Sequence, residues 1–192
     1  MAQLVTPVVA AGTMASLKQP TILTEVYQLR PWCLEDASLL VSAFEDPTIR
    51  RWHTNVVEDH DEAIKWITGW ERRWESETDA CWAITDARGD VVIGRVALRD
   101  VNLISGEAEI SYWNLPEHRN RGVCTSAVQS LVHWSFNELG LHRLLLRHAI
   151  TNEASCRVAV KAGFEYEGTL ISAQKLVDGW HDMHLHARIN SN

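Results

Sequence analysis

Residues 116–127 say most about the fold and read Pro-Glu-His-Arg-Asn-Arg-Gly-Val-Cys-Thr-Ser-Ala. They join a strand-like run over residues 107–113 to a helix-like run over residues 125–139, with Gly122 at the centre of the turn. A helix start presents unpaired N–H groups and the positive end of its dipole, and glycine lets a phosphate approach the backbone. The turn is therefore suited to bind a polyanion such as a diphosphate. An ordinary strand-to-helix turn with solvated arginines is the alternative.

A second motif follows the helix-like run. It contains Asn152-x-x-Ser155 at the start of a short helix-like segment that ends at Gly163-Phe164. Together the two segments resemble the GNAT acetyltransferases, and within them the RimJ/RimL-like branch that acetylates the N-terminal alanine or serine of ribosomal proteins. The resemblance is sharp over residues 107–168 and weaker elsewhere.

The family's pyrophosphate loop reads Gln/Arg-x-x-Gly-x-Gly/Ala, and here it is Arg119-x-x-Gly122-x-Cys124. The resemblance implies that acetyl-CoA is the co-substrate. Its diphosphate and pantetheine arm would be held by a set of residues at the two motifs: Trp113, Asn114, Arg119, Asn120, Arg121, Gly122, Val123, Cys124, Thr125, Asn152 and Ser155.

Three positions depart from the family pattern. Cys124 replaces the usual Gly or Ala and narrows the loop, and Asn120 replaces a frequent Gly. Many family members carry a tyrosine that donates a proton to the leaving thiolate, and here that position is Ala159. Another group must supply the proton, or the thiolate leaves without one.

The order of elements also fits the family. Strand and helix patterns alternate as β-α-α-β-β-β-α-β-α-β-β, with turn signals at Gly89 and at Asp178-Gly179. This order predicts an α/β (α+β) fold, a mixed and mostly antiparallel twisted sheet of about seven strands flanked by four helices. We expect one domain over residues 22–192 and a disordered tail over residues 1–21, which lack periodicity.

Acyl transfer to an amine has two catalytic requirements. One group must remove the amine proton, and another must stabilise the leaving sulfur. Glu109 shares a strand face with Glu107 and Trp113, and it is the candidate base if that face lines the cleft. The resemblance implies Ser155 as the donor to the thiolate. Each residue also has a structural alternative. Glu107 and Glu109 could be solvent-facing carboxylates, and Ser155 could be a first-turn residue of a helix capped by Asn152.

Aromatic residues provide candidates for the acceptor site. Trp52 and His53 lie in the loop that lines this site in the resembling family. Trp70 belongs to a stripe with Trp66 and Trp74 at helical spacing, which indicates either a packed core stripe or an aromatic wall of the acceptor pocket.

Composition excludes several classes of protein. The net charge of −7 disfavours a nucleic-acid binder and would help to attract a cationic amine. No signal or membrane segment is evident, and four cysteines without a CxxC pair suit a reducing cytoplasm. We expect no metal, because the pair His184-x-His186 has no third ligand nearby in the sequence. The oligomeric state is open, with a homodimer as one alternative.

Three functions compete. The first is acetyl-CoA-dependent acetylation of the N-terminal α-amine of a protein or peptide. The second is acetylation of a small amine such as an antibiotic or a self-made toxin, which the tryptophans favour. The third is a catalytically silent acyl-CoA-binding regulatory module. Glu109 and Ser155 disfavour the third function, whereas Ala159 and Cys124 favour it.

Overall fold

The computed structural model describes residues 4–191. Within them eight strands form one sheet: β1 (Ile22–Leu23), β2 (Tyr27–Pro31), β3 (Ala80–Asp86), β4 (Val92–Asn102), β5 (Glu107–Asn114), β6 (Arg143–Ala149), β7 (Glu165–Leu176) and β8 (Gly179–Ile189). The same residues form five α-helices: α1 (Ala37–Ala43), α2 (Pro47–Arg51), α3 (His60–Glu75), α4 (Val123–Asn137) and α5 (Glu153–Lys161).

The strands follow the order β1-β2-β3-β4-β5-β6-β8-β7, and β5 and β6 are the parallel pair in a sheet that is otherwise antiparallel. The prediction of a mixed, mostly antiparallel sheet is confirmed. The described residues add one strand and one helix to the predicted seven and four. These are β1, of two residues, and α2, of five residues. Segments this short carry too few side chains for a periodic pattern.

Alternation along β3 divides the core into two layers. Cys81 and Ala83 face a cluster that contains residues of α1 and α3, whereas Trp82 and Ile84 face a cluster that contains residues of α4 and α5. Both faces of the strand are thus apolar, which explains its nearly continuous hydrophobic sequence. Helices therefore pack against both faces of this part of the sheet.

The parallel pair β5–β6 separates along its length. The two strands pair at Glu107↔Arg143, Ala108↔Leu144 and Glu109↔Leu145, and both strands continue beyond these pairs. Beyond Glu109 the facing edges of the two strands do not pair with each other, so a wedge opens between them. Backbone N–H and C=O groups along the wedge remain available to a ligand.

The amino-terminal segment corrects the expectation of a disordered tail. Residues 1–3 lie outside the described residues, but Met14 is fully buried and its N–H donates to the Glu77 carboxylate at 2.7 Å. The indole N–H groups of Trp74 and Trp82 donate to the carbonyls of Leu17 and Pro20 at 2.9 and 2.8 Å. The segment is held by partners distant in sequence, which its own lack of periodicity could not reveal.

The tryptophan stripe on α3 packs into the core. Asp59 caps the helix by accepting a hydrogen bond from the Glu62 N–H at 2.8 Å. The ring centroid of Trp70 lies 5.3 Å from that of Trp32, and the ring of Trp74 packs against Trp82 and Trp134. Of the two interpretations of the tryptophan stripe, this geometry supports core packing for most of the stripe's surface.

Candidate active site

A cavity of about 380 Å³ lies where β5 leads into the start of α4, facing the start of α5. It is lined by all the residues predicted to hold the cofactor except one: Trp113, Asn114, Arg119, Asn120, Gly122, Val123, Cys124, Thr125, Asn152 and Ser155. The exception is Arg121, which is exposed and does not line this cavity. Two motifs that are separated in sequence therefore meet around one space, because the wedge places the start of α4 opposite the start of α5.

The amino terminus of α4 opens into this cavity without a cap. Gly122 is the N-cap residue, its φ is +77°, and no side chain hydrogen-bonds to the helix start. A Cβ built on Gly122 would meet no atom within 4 Å. The first N–H groups, those of Val123, Cys124 and Thr125, have no intrahelical partner by the geometry of a helix. Together with the helix dipole they form an anion site, as the sequence of the turn indicated.

Arg119 has a protein partner in this structure. Its Nη2 lies 2.6 Å from Oδ1 of Asp46, which also accepts the Ile49 N–H as the cap of α2. Burial alone would raise the pKa of Asp46, but the hydrogen bonds from Arg119 and Ile49 lower it overall. Arg119 therefore fastens the loop to α2 at the edge of the cavity and is only partly available to a phosphate.

Cys124 is a buried thiol on the cavity wall. Burial raises its pKa to about 12, so the side chain is a neutral thiol near pH 7. A neutral, buried thiol is a poor nucleophile. This environment disfavours an acyl-cysteine route and is compatible with direct transfer between cofactor and acceptor.

Tyr112 and Ser155 close the inner end of the cavity. The Tyr112 hydroxyl lies 2.7 Å from Oγ of Ser155, and the Ser155 N–H donates to Oδ1 of Asn152 at 3.1 Å. Asn152 is thus the N-cap of α5, which was one of the two interpretations of the motif. The cap fixes the first turn of α5, and the bond from Tyr112 fixes the Ser155 hydroxyl at the wedge.

A second cavity, of about 680 Å³, meets the first at this point. Six residues line both: Trp52, His53, Tyr112, Trp113, Asn152 and Ser155. A thioester that entered through the first cavity would therefore reach an acceptor in the second beside the Tyr112–Ser155 pair. This common wall is where the structure can bring two substrates into contact.

The second cavity is mixed in charge. Basic side chains (Lys65, Arg73, Arg95, Arg99 and Arg147) and acidic ones (Glu62, Asp79, Asp100 and Glu109) all contribute to its wall. Within residues 4–191 neither Arg95 nor Arg99 forms an ion pair with a carboxylate. Arg95 instead donates to Cys81 Sγ at 3.0 Å. This wall is not the acidic surface that the net charge of the chain suggested for a cationic acceptor.

Glu109 is an ion-paired residue of the second cavity. Its carboxylate accepts from Nε of Arg147 at 2.9 Å, and its side chain is 11% exposed against 41% for Arg147. Tyr112 lies three residues further along β5, about 10 Å at the rise of a strand. Glu109 therefore reaches the junction of the cavities only through water or substrate.

The three predicted acceptor residues differ in exposure. Trp52 and His53 line both cavities, whereas Trp70 borders the second and is only 5% exposed. Nδ1 of His53 donates to the Ile49 carbonyl at 2.7 Å, so in the neutral ring Nε2 carries the lone pair. Burial lowers the pKa of His53 to about 4. The hydrogen bond to the Ile49 carbonyl opposes this shift, and the nearby charges of Arg95 and Arg99 add to it.

Sequence reasoning missed Tyr112. Alternation placed it on the face opposite Glu109, away from the assumed cleft, but the wedge exposes both faces of β5 to the cavities. The missing family tyrosine at Ala159 was the available signal, since Ala159 is a fully buried core residue that carries no proton donor. Tyr112 places a phenol from β5 where the two cavities meet.

Comparison with known proteins agrees with this geometry. Residues 27–165 match the family model described as an acetyltransferase (GNAT) domain. The chain belongs to the GNAT acetyltransferase family. It is an N-acetyltransferase with acetyl-CoA as its co-substrate. Among the helices of residues 4–191, none has both the length and the apolar character needed to cross a membrane.

Two relatives and one solved structure show what the chain is similar to. The ribosomal-protein-serine acetyltransferase of Escherichia coli is 33% identical over 52% of this chain and 56% of its own length. The spermidine N(1)-acetyltransferase of Vibrio cholerae is 30% identical over 47% of this chain and 51% of its own. The chain thus aligns with about half the length of these two relatives. The solved structure of Mycobacterium smegmatis RimJ with a CoA disulfide superimposes with a TM-score of 0.83 at 20% identity, over 89% of this chain and 88% of that one.

The residues present fit acetyl-CoA. The uncapped start of α4 and the open space at Gly122 suit its diphosphate, and the unpaired edge of β5 within the wedge suits the amides of its pantetheine arm. Acetyl-CoA supplies an activated thioester. The protein supplies the anion site, the wedge and the Tyr112–Ser155 pair.

Proposed function

We propose that this GNAT acetyltransferase transfers an acetyl group to the N-terminal α-amine of a protein or peptide. The observation that carries the proposal is the Tyr112–Ser155 pair at the common wall of two cavities, one with an uncapped helix start and one with room for an acceptor. This arrangement provides both substrates with separate entrances and one meeting point. It also disfavours a silent acyl-CoA-binding module, which needs no second cavity.

On the thioester side, Ser155 donates a hydrogen bond to the sulfur as it leaves. Tyr112 orients this hydroxyl and supplies a hydrogen to Ser155 in turn. Burial raises the pKa of Tyr112, so its phenol keeps its proton at neutral pH. A donor that is already in place stabilises charge that develops only during the reaction.

On the amine side, a mild base is sufficient. An α-amine has a pKa of about 7.7–8.0, so a substantial fraction is already neutral near that pH. Glu109 takes the remaining proton through water, while Arg147 fixes the position of its carboxylate. The lone pair on Nε2 of His53 is placed to accept a hydrogen bond from the bound amine.

The charges of the second cavity support a peptide acceptor over a polyamine. Arg95 and Arg99 lack carboxylate partners among the described residues and would repel a second or third ammonium group. A peptide brings one α-ammonium group together with backbone carbonyls that arginines can bind. The mixed wall therefore matches a chain terminus.

A panel of acceptors tests this proposal by the rate of CoA release. It comprises peptides with Ser, Ala, Met or Asp as first residue, the same peptides with a formylated α-amine, and spermidine. We expect at least one free peptide to exceed spermidine by about tenfold or more in kcat/KM, a difference of about 1.4 kcal/mol, and the formylated peptides to be inactive. Faster turnover of spermidine would contradict the peptide assignment, and no turnover with any amine would contradict catalysis.

A further inference from the structure

Three histidines and one cysteine meet beneath α5, outside the acetyl-transfer residues. His148 on β6 lies opposite His184 on β8 in the register of the sheet, and His186 follows on the same face of β8. Cys156 approaches from α5. One ligand atom from each of these four residues lies within 4.8 Å of the others. The expectation of no metal rested on the missing third ligand to His184 and His186, and the fold brings two candidates to that pair.

The two buried rings face each other through their Nε2 atoms. Nδ1 of His148 lies 2.9 Å from the Ala149 carbonyl, which can only accept, so Nδ1 carries the hydrogen and Nε2 presents a lone pair. Nε2 of His186 lies 3.2 Å from this atom. Both side chains are only 3% exposed. Two neutral rings can share one hydrogen between these two Nε2 atoms.

A tetrahedral zinc ion matches both the geometry and the chemistry of the four groups. Zinc–nitrogen bonds of about 2.0–2.1 Å place two nitrogen ligands about 3.3 Å apart, close to the 3.2 Å between the rings of His148 and His186. Imidazole and thiolate are the ligands that zinc prefers. The bond from His148 Nδ1 to a backbone carbonyl is the outer contact that orients a metal-binding histidine.

We propose that His148, His184, His186 and Cys156 form a zinc site. Binding converts the Cys156 thiol to a thiolate and releases one proton to solvent, without any change of oxidation state. The ion ties the first turn of α5 to β6 and β8. Because this turn carries Ser155, and His148 lines the second cavity, the ion fixes the wall that positions the Ser155 hydroxyl.

Zinc and cobalt binding to the untagged, chelator-stripped chain test this proposal. We expect one zinc per chain by calorimetry and a rise in Tm when zinc is added, because the ion binds the folded state. Cobalt in place of zinc should give a near-ultraviolet thiolate-to-metal charge-transfer band. Loss of an outer-shell partner weakens metal binding 10- to 100-fold, so loss of a ligand in Cys156→Ser or His186→Asn should weaken it by at least about tenfold.

Matched controls are Cys33→Ser and His133→Asn, which lie outside the cluster and should bind zinc like the wild type. Absence of stoichiometric zinc binding by the wild type would overturn the proposal, as would a cobalt thiolate band that survives Cys156→Ser. If the cluster variants fail to fold, alkylation of cysteines in the wild type tests the zinc site instead. Zinc should protect Cys156 from iodoacetamide while Cys33 reacts as before, and equal reaction of Cys156 with and without zinc would contradict the site.

Discussion

The hydroxyl of Tyr112 on β5 lies 2.7 Å from Oγ of Ser155 on α5, across the wedge that separates β5 from β6. Tyr112 lies on the strand that leads into the first motif, Ser155 belongs to the second motif, and both residues line the cofactor cavity and the acceptor cavity. The pair can donate toward a sulfur atom but cannot serve as a base, because burial raises the pKa of Tyr112 and keeps the phenol protonated.

Removal of either hydroxyl should slow the chemical step. We expect Tyr112→Phe and Ser155→Ala each to lower kcat by about 10²-fold, the lower end of the range for loss of one preorganised donor. Since the two groups act in series, the double variant should be little worse than Ser155→Ala alone. The measurement is steady-state CoA release, with Tyr27→Phe as a control outside both cavities. Multiplicative effects in the double variant would contradict the relay.

Gly122 tests the anion site. A side chain at φ +77° costs about 1–2 kcal/mol, while the space around its Cβ is open. Gly122→Ala should therefore fold with a modest loss of stability and bind acetyl-CoA at least about tenfold more weakly, and Gly122→Val should abolish binding, because the methyl groups occupy the space of the diphosphate. Calorimetry gives the affinities.

Gly12 offers a matched control for this substitution. Its φ is +89° and its Cβ would also meet nothing within 4 Å, but it lies outside the cavity. Gly12→Ala should show similar strain and unchanged acetyl-CoA affinity. Normal affinity in Gly122→Val would contradict the cofactor site.

Most of the site could be predicted from local sequence, and the remainder could not. The turn at Gly122 and the cap at Asn152 are local devices, so short motifs reveal them. The ion pair of Arg119 with Asp46 and the approach of Tyr112 to Ser155 join residues far apart in the chain. Such contacts depend on the folded arrangement of the strands and helices, which short motifs do not reveal.

The amino-terminal segment also could not be predicted from local sequence. Residues 4–21 have no periodicity of their own, yet Met14 packs into the hydrophobic core, and Glu77 and two indole N–H groups supply hydrogen-bond partners to the segment. The tryptophans that hold this segment were visible in the sequence, but their partners were not.

His53 should make the stability of the fold depend on pH. Burial lowers its pKa to about 4 from an ordinary 6.5, so between these values the unfolded chain binds a proton that the folded chain refuses. The free energy of unfolding should therefore rise with pH across that window and gain nothing further from His53 above it. Urea titrations of zinc-free protein at pH 5 and 7.5 measure the difference.

In His53→Gln this difference should shrink, while the exposed His133→Gln should leave it unchanged. Burial lowers the pKa of His148 and of His186 as well, so part of the slope should persist in the His53 variant. A slope identical to that of the wild type would show that His53 is solvated in the folded chain.

Glu109→Gln tests the proposed base. A positioned base contributes about 10²–10⁴-fold, so kcat should fall by this factor while acetyl-CoA affinity stays constant. The loss should diminish as pH rises above the α-amine pKa of about 7.7–8.0, because the acceptor is then already neutral. Glu107→Gln is the control on the same strand, since Glu107 pairs with Arg143 and does not line the second cavity. A small loss that is uniform across pH would mean that Glu109 only anchors Arg147.

The central claim is acetyl transfer to an α-amine, and one peptide tests it most directly. The peptide begins with serine, contains one internal lysine, and is incubated with the enzyme and acetyl-CoA. Fragmentation in the mass spectrometer then locates the acetyl group. We expect one acetyl group per peptide, on the serine α-amine, in wild type and not in Gly122→Val. Acetylation of the lysine side chain in preference to the α-amine would contradict the account.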